Sequence, residues 1–329
     1  MRFSRVMKKQ LGTIFALAMA ILSSAPCGAA EDFGQWLDGV RRDAKAAGVP
    51  AATVDAALDG VAPLPRVVEL DQRQPENTIT LDQYLAHVVV PARIKQGRDL
   101  VADNARLLHS ITAEYGVPPR TIMALWAIES SYGHAMGDFR IVDALATLAY
   151  DGRRPEFFRA ELINALKILG KGRFQSNDLK GSWAGAMGQT QFMPSTYLKY
   201  AVDYRHSGEP DIWHDTGDVF ASAANYLSQL GWNANEGWGR EIRLPASFDT
   251  GLVGPTIRKS VADWARLGVR RRDGGKLPAS AIEASVVAPD GVDGRAFLVY
   301  ENFRTIMKWN RSTYFALAVC LLGDAIGGR

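Results

Sequence analysis

In the stretch ALWAIESSYGHAMG, residues 124–137, Glu129 follows directly on Ala124-Leu125-Trp126-Ala127-Ile128. No lysine or arginine lies within a helical turn on either side. Helical spacing puts Trp126, Leu125 and Ile122 on the same face as the carboxyl. Apolar neighbours disfavour the charged form and raise its pKa. The position near a helix C-terminus brings it to the negative end of the dipole, which acts in the same direction. A glutamic acid held protonated near neutral pH is what a general acid requires. Spacing alone equally allows a core glutamate bonded to a loop or paired with a remote arginine, since structural networks also perturb carboxyls.

Other chemistries find little support. The five histidines are scattered, with no His-Glu-x-x-His and no cysteine cluster, so the usual zinc patterns are missing. There is no Gly-x-Ser-x-Gly elbow for a serine hydrolase. The glycine-rich segment LKGSWAGAMGQTQFMPSTY, residues 179–197, lacks the Gly-Lys-Ser/Thr ending of a phosphate loop and the spacing of a dinucleotide fingerprint. A strand–helix alternation of the doubly wound kind is also absent, which removes a transport-type binding protein.

The elements that must position Glu129 begin after a leader. Residues 1–30 read as a secretory signal peptide, with Arg2, Arg5, Lys8 and Lys9 before an apolar core at Leu11–Leu22 and small residues at 28–30. The formal charge of +3 rests on those four basic residues, and without them the chain has one more acidic than basic residue. No nucleic-acid reading is therefore built on charge. Cys27 leaves with the leader, and Cys320, in the apolar run YFALAVCLL, reads as a buried inert thiol. Residues 32–60 read as two short helices broken at Gly48-Val49-Pro50, and 63–78 as an extended, turn-rich linker. Helical periodicity runs from about Leu81 to Leu169. Within it Pro118-Pro119 opens the helix bearing Glu129 and Gly133 closes it. Helix returns at 217–230 and again from Ser312 to Ile326, while ASVVAP and AFLVY, between glycine, proline and aspartate clusters, suggest strands. The fold class is mainly α, of α+β type. The predicted layout is a helical region and catalytic core over 31–239, a small β-containing lobe over 240–300, and a segment returning to the core over 301–329.

Four blocks in order carry a family resemblance: AIESSYG (127–133), RIVDALATLAYDGRRPEFF (140–158), GSWAGAMGQTQFMPSTY (181–197) and NFRTIMKWNRSTYFALAV (302–319). The sequence resembles the lytic murein transglycosylase B family, weakest before residue 75. The resemblance implies a lysozyme-like core and cleavage of the β-1,4 bond between N-acetylmuramic acid and N-acetylglucosamine in peptidoglycan. It implies that no water is used and that a 1,6-anhydro muramyl end remains. A single catalytic carboxylate, Glu129, then suffices as acid and base, where ordinary glycosidases use two. It further implies Ser182 as orienting the N-acetyl group and Gln191 as lining the cleft. Tyr226, Asn310 and Tyr314 match sugar contacts, and Arg153 and Arg154 a basic pair for peptide or lactyl carboxylates. The bland readings of these residues are loop hydrogen bonding for Ser182 and Gln191, and two exposed helix-start arginines for the pair.

Members of the family often carry an EF-hand-like loop, matched here by DYRHSGEPDIWHD, residues 203–215. Asp203, Gly208 and Asp211 keep positions 1, 6 and 9 of the calcium pattern. Arg205, Ser207 and His214 stand where oxygen donors belong, so the expectation is no metal and no cofactor, with Arg205 paired to Asp203 or Asp211 in place of the cation. The expected partners are peptidoglycan glycan strands, with unspecified wall-synthesis or division proteins, no nucleic acid, and a monomeric state. The expected location is the periplasm, with membrane association left open. Competing readings are a hydrolytic muramidase and a non-catalytic peptidoglycan-binding protein.

Overall fold

The structure is a computed structural model that describes residues 32–73 and 79–328; the leader reading of residues 1–30 lies outside the described residues. Asp32 caps the first helix, α1 (Phe33–Ala46), by accepting from the Gly34 N–H. Gly48, at φ +86°, then turns the chain into α2 (Ala51–Leu58). The linker expected over 63–78 is in part a helix, α3 (Pro65–Gln72). Pro65 sits in its first turn, where a fixed φ is pre-set and no N–H is needed, so the proline that suggested a linker starts a helix instead. Val67 is fully buried on that helix, which supplies the anchor a wrapping linker would lack.

The core follows as α4 (Leu81–Val88), α5 (Pro91–Asp103), α6 (Ala105–Tyr115) and α7 (Pro119–Ser130), the last carrying Glu129. A two-residue strand β1 (Phe139–Arg140), helices α8 (Ile141–Asp151) and α9 (Pro155–Gly170), and strand β2 (Lys180–Gly181) come next. The two strands pair antiparallel, Phe139 opposite Gly181, and so draw the glycine-rich segment back beside the end of the Glu129 helix. Then come α10 (Pro194–Tyr200) and α11 (Thr216–Gln229).

The lobe is built from β3 (Gly239–Arg243), β4 (Lys259–Ser260), α12 (Val261–Arg266), β5 (Arg270–Arg271), β6 (Glu283–Val287) and β7 (Ala296–Val299). Its sheet has the order β4-β6-β7-β3-β5, antiparallel throughout. Every residue of the central strand β7 is buried, so it reads as a continuous apolar run and not as an alternation. The chain leaves the lobe into α13 (Glu301–Trp309) and α14 (Thr313–Ile326), with Ser312 capping α14.

Three apolar clusters result. One gathers α7 with α4, α6, α11, α13 and α14; a second joins α1–α3 to α8, α9 and the glycine-rich segment; the third fills the lobe around Trp264 and Leu298. In the first, Ile122, Met123 and Leu125 of α7 are almost wholly excluded from water. Each contributes about 1.5–3 kcal/mol by burial, which fixes the helix that holds the acid. Cys320 is buried in the same cluster and its thiol is pushed well up by burial. Among the described residues no helix is long and apolar enough to cross a membrane.

Candidate active site

Helix α7 ends on Ser130, one residue past the acid, and the chain then takes left-handed backbone at Ser131 (φ 49°), Tyr132 (φ 58°) and Gly133 (φ 86°). The closure expected at Gly133 therefore begins two residues earlier, on two residues with side chains. Backbone of that kind costs about 1–3 kcal/mol per non-glycine residue and persists only when its surroundings hold it. Here they do. The Ser130 hydroxyl donates to Gln189 O at 2.8 Å and accepts from Gly133 N at 3.1 Å, and the Tyr132 hydroxyl donates to Arg93 O at 2.7 Å. A Cβ on Gly133 would stand 2.4 Å from Gln189 Oε1. Gln189, nearly buried, accepts from Trp126 Nε1 at 2.8 Å and donates to Trp213 O at 2.7 Å. The glycine-rich segment is thus bolted to the end of α7.

Glu129 is half-buried, and its Oε1 accepts a hydrogen bond from Trp309 Nε1 at 2.8 Å. Beneath it the floor is apolar, formed by Ile122 and Leu125 of α7 with Val219, Phe220 and Ala223 of α11. Burial pushes the Glu129 carboxyl up to about 7, against the opposing pull of the Trp309 N–H, which favours the anion. Trp309 also begins an aromatic wall. Its ring lies 5.0 Å from Tyr226 and 5.3 Å from Phe192, and Tyr226 lies 4.4 Å from Tyr200 at an interplanar angle of 31°. The Glu129 charge also helps to raise the half-buried Tyr84 phenol, after burial itself. An acid poised near neutrality beside an aromatic wall can protonate a leaving oxygen on a ring stacked against that wall.

The other residues singled out in the sequence fall at several places. Tyr226 joins Glu129 through Trp309. Gln191 has left-handed backbone at φ 49°, and its Nε2 donates to Met136 O at 3.0 Å and Gly188 O at 2.8 Å, bracing the loop against the end of the acid helix. The Ser182 hydroxyl accepts from Ala186 N at 3.1 Å within the same loop, which leaves its O–H to donate elsewhere. Tyr314 packs its ring 5.8 Å from Tyr84, and its hydroxyl donates to Asp290. Asn310 follows Trp309 directly, and its Oδ1 accepts from Ser312 N at 3.0 Å in the turn into α14. Arg153 and Arg154 are exposed at the α8–α9 junction. Arg153 forks onto Asp71 of α3, with Nε and Nη2 both 3.3 Å from the carboxylate, and Arg154 lies over the Phe157 and Phe158 rings. Their contacts tie them to α3 and α9 and not to the aromatic wall.

Trp309, Phe192, Tyr200, Gln189 and Tyr84 belong to this arrangement and are not singled out by the sequence. Trp309 directly precedes Asn310 and Gln189 lies two residues before Gln191, but a pattern of apolar and small residues gives no sign of which ring or amide meets the acid's helix.

The loop 203–215 holds itself by hydrogen bonds. Asp203 Oδ1 accepts from Ser207 N at 2.8 Å and its Oδ2 from Gly208 N at 2.7 Å. Asp211 Oδ1 accepts from Trp213 N and His214 N, both at 3.0 Å, while its Oδ2 faces Arg173 at 3.4 Å. Arg205 pairs with neither; its Nε lies 3.6 Å from Asp215 Oδ2, because Asp215, capping α11, presents a carboxylate with an oxygen to spare. The expected partner is corrected to Asp215. Among the described residues no group of three or more His, Cys, Asp or Glu side chains converges as a metal site.

Comparison with known proteins matches these features to one group. The family described as "Transglycosylase SLT domain" matches residues 32–324. The "Membrane-bound lytic murein transglycosylase B" of Escherichia coli strain K12 is 33% identical over 252 residues, 74% of this chain and 66% of that relative. The match thus spans just under two thirds of the relative's length. SltB3 of Pseudomonas aeruginosa, solved in complex with NAG-anhNAM-pentapeptide, superposes with a TM-score of 0.87 at 48% identity, covering 91% of this chain and 80% of that one. The E. coli lytic transglycosylase Slt35, solved in complex with calcium, gives 0.75 at 30% identity over 90% of this chain and 92% of its own.

Proposed function

Because the chain belongs to the transglycosylase SLT domain family, in its lytic transglycosylase B branch, we propose that it cleaves the β-1,4 bond between N-acetylmuramic acid and N-acetylglucosamine in peptidoglycan. No water is consumed, and a 1,6-anhydro muramyl end is formed. Protonated Glu129 gives its proton to the glycosidic oxygen as the bond to the muramyl C1 breaks, and the muramyl N-acetyl oxygen supports the positive charge at C1. The carboxylate then takes the proton of the C6 hydroxyl as that oxygen closes on C1, which restores the acid. Atoms and charge balance without a second carboxylate.

The observation that carries this reading is Glu129 itself, lifted to about 7 by burial, with an indole N–H as hydrogen-bond donor and no neighbouring carboxylate among the causes of its shift. A group with that pKa serves as acid and base in turn at neutral pH. Tyr226 and Trp309 supply a stacking surface for a sugar, while Ser182 and Gln191 sit on the loop bolted to the acid's helix. Tyr314 lies beside Tyr84, and Asn310 beside Trp309. Arg153 and Arg154 would meet stem-peptide carboxylates only at the α8–α9 edge, with Arg153 giving up Asp71 to do so. The complexes of SltB3 with NAG-anhNAM-pentapeptide and with NAG-NAM-pentapeptide support a glycan of this class.

Slt35 was solved with calcium, but the residues of loop 203–215 do not fit that ion. Calcium needs six to eight oxygens, and here Arg205 and His214 stand at two donor positions, the Asp203 and Asp211 carboxylates already accept backbone N–H groups, and Arg173 and Arg205 supply positive charge. No step is routed through a metal. A monomer acting in the periplasm after removal of residues 1–30 completes the reading. Digestion of purified sacculi followed by mass analysis of the muropeptides tests it. Non-reducing products one water lighter than hydrolytic ones are expected; reducing, hydrated ends would replace this reading with a muramidase.

A further inference from the structure

The hairpin loop between β6 and β7 reaches out of the lobe to the acid's surroundings. Asp290, exposed on that loop, divides its carboxylate between two elements of the core. Its Oδ2 accepts from Leu81 N at 2.9 Å, and its Oδ1 accepts from the Tyr314 hydroxyl. The first contact completes a helix start. Thr80 and Gln83 form a reciprocal capping box at α4 that satisfies Gln83 N and Thr80 N and leaves Leu81 N to the lobe. A carboxylate there is also favoured by the helix dipole. Arg295 of the same loop adds a second tie, to Asp82 at 3.1 Å, while its fork holds Glu241 of β3 at 2.9–3.0 Å.

The consequence lies one turn further along α4, where Tyr84 shares the face of Leu81. Its ring lies 5.8 Å from Tyr314, and its phenol feels the charge of Glu129. One carboxylate of the lobe therefore holds both members of this tyrosine pair, one through its hydroxyl and the other through its helix. We infer that Asp290 is a positioning residue for glycan binding, holding Tyr314 and the start of α4 so that Tyr314 and Tyr84 form one wall of the Glu129 cleft. This rests on the reading of the cleft as a glycan site. It assigns the β-containing lobe a part in substrate binding with no lobe residue entering the chemistry.

The test compares Asp290→Ala, Asp290→Asn, Tyr314→Phe and the Asp290→Ala/Tyr314→Phe pair on soluble glycan strands. In parallel, calorimetry measures NAG-NAM-pentapeptide binding to the same variants in a Glu129→Gln background. Losing a charge-assisted tie should raise KM and weaken binding about tenfold for Asp290→Ala, with kcat within about threefold of wild type. Tyr314→Phe, which loses the hydroxyl tie and keeps the one to Leu81 N, should show part of this effect, and the pair should be no worse than Asp290→Ala alone, since that change already removes both ties. Asp290→Asn, nearly isosteric and with one acceptor oxygen for two donors, should fall between and guards against misfolding of the alanine variant. Unchanged KM and binding with only a lowered Tm would overturn the inference. A collapse of kcat at unchanged KM would also do so, since Asp290 would then belong to the chemistry, and so would additive single effects. Any of these leaves the product masses from sacculi, and hence the proposed function, standing.

Discussion

Replacing Glu129 with glutamine removes the transferable proton while keeping the volume and the acceptor that Trp309 uses. Activity on sacculi should fall by at least roughly 10²–10⁴-fold, the usual worth of general acid–base catalysis. The same substitution has a pH signature in stability. The folded carboxyl is raised from 4.5 to about 7, so between those values the folded state keeps a proton that the unfolded chain releases. Stability therefore declines as pH rises through that window, and the full penalty applies above about 7. Glu129→Gln should melt higher than wild type at pH 8, by no more than about 3 kcal/mol, and alike at pH 4; scanning calorimetry at the two pH values checks it. Trp309→Phe keeps a ring in the wall and removes the N–H that lowers the acid's pKa. The high-pH limb of kcat/KM, expected near 7 in wild type, should move upward in that variant, and a limb moving down would contradict the hydrogen bond's role. At this scale Glu129 was legible because a lone acid among Ile122, Leu125 and Trp126 breaks the apolar pattern. Trp309 was not, since an indole at a helix end conforms to that pattern.

The end of α7 depends on backbone that leaves no room. Gly137 has φ +90°, and a Cβ there would lie 2.2 Å from Gly181 O and 2.8 Å from Ser182 N. Both contacts are with backbone, which has no flexible end to yield. Gly137→Ala should cost at least about 2 kcal/mol and displace the Ser182 loop. Thermal melting and kcat should fall together in that variant, whereas Glu129→Gln lowers kcat alone. Helices were mostly legible from proline at their starts and apolar spacing along their lengths. Glycine is the usual left-handed residue, so the sequence points to Gly133 as the close of α7; the helix ends at Ser130 with Ser131 as its cap, held by bonds that Ser130 and Tyr132 donate to Gln189 O and Arg93 O, far off in sequence. For α3 the same signal points two ways, since Pro65 marks a first turn as readily as a linker.

For the molecule as a whole, the loop 203–215 makes a prediction that its resemblance to calcium loops would not. With its carboxylates engaged by backbone N–H groups, Arg173 and Arg205, the protein should melt and turn over alike in EDTA and in millimolar calcium. A calcium-induced rise in Tm of several degrees, or heat of binding, would show that the loop still takes the ion. The class of fold and the small lobe were visible as a change from helical spacing to short apolar stretches between glycines. How the lobe meets the core was not visible. Periodicity tells which face of an element is buried but not which partner buries it, and the contacts of Asp290 and Arg295 with α4 span most of the chain.

The indole bonded to Glu129 belongs to α13, and α14 packs along α7, yet both follow the lobe in the chain. In the unfolded chain Glu129 is an ordinary solvated carboxylate, ionised at neutral pH. The side chain is present from the start, but its acidity is a property of the finished assembly. An unfolded chain carries the glutamate without the proton that would make it able to cut.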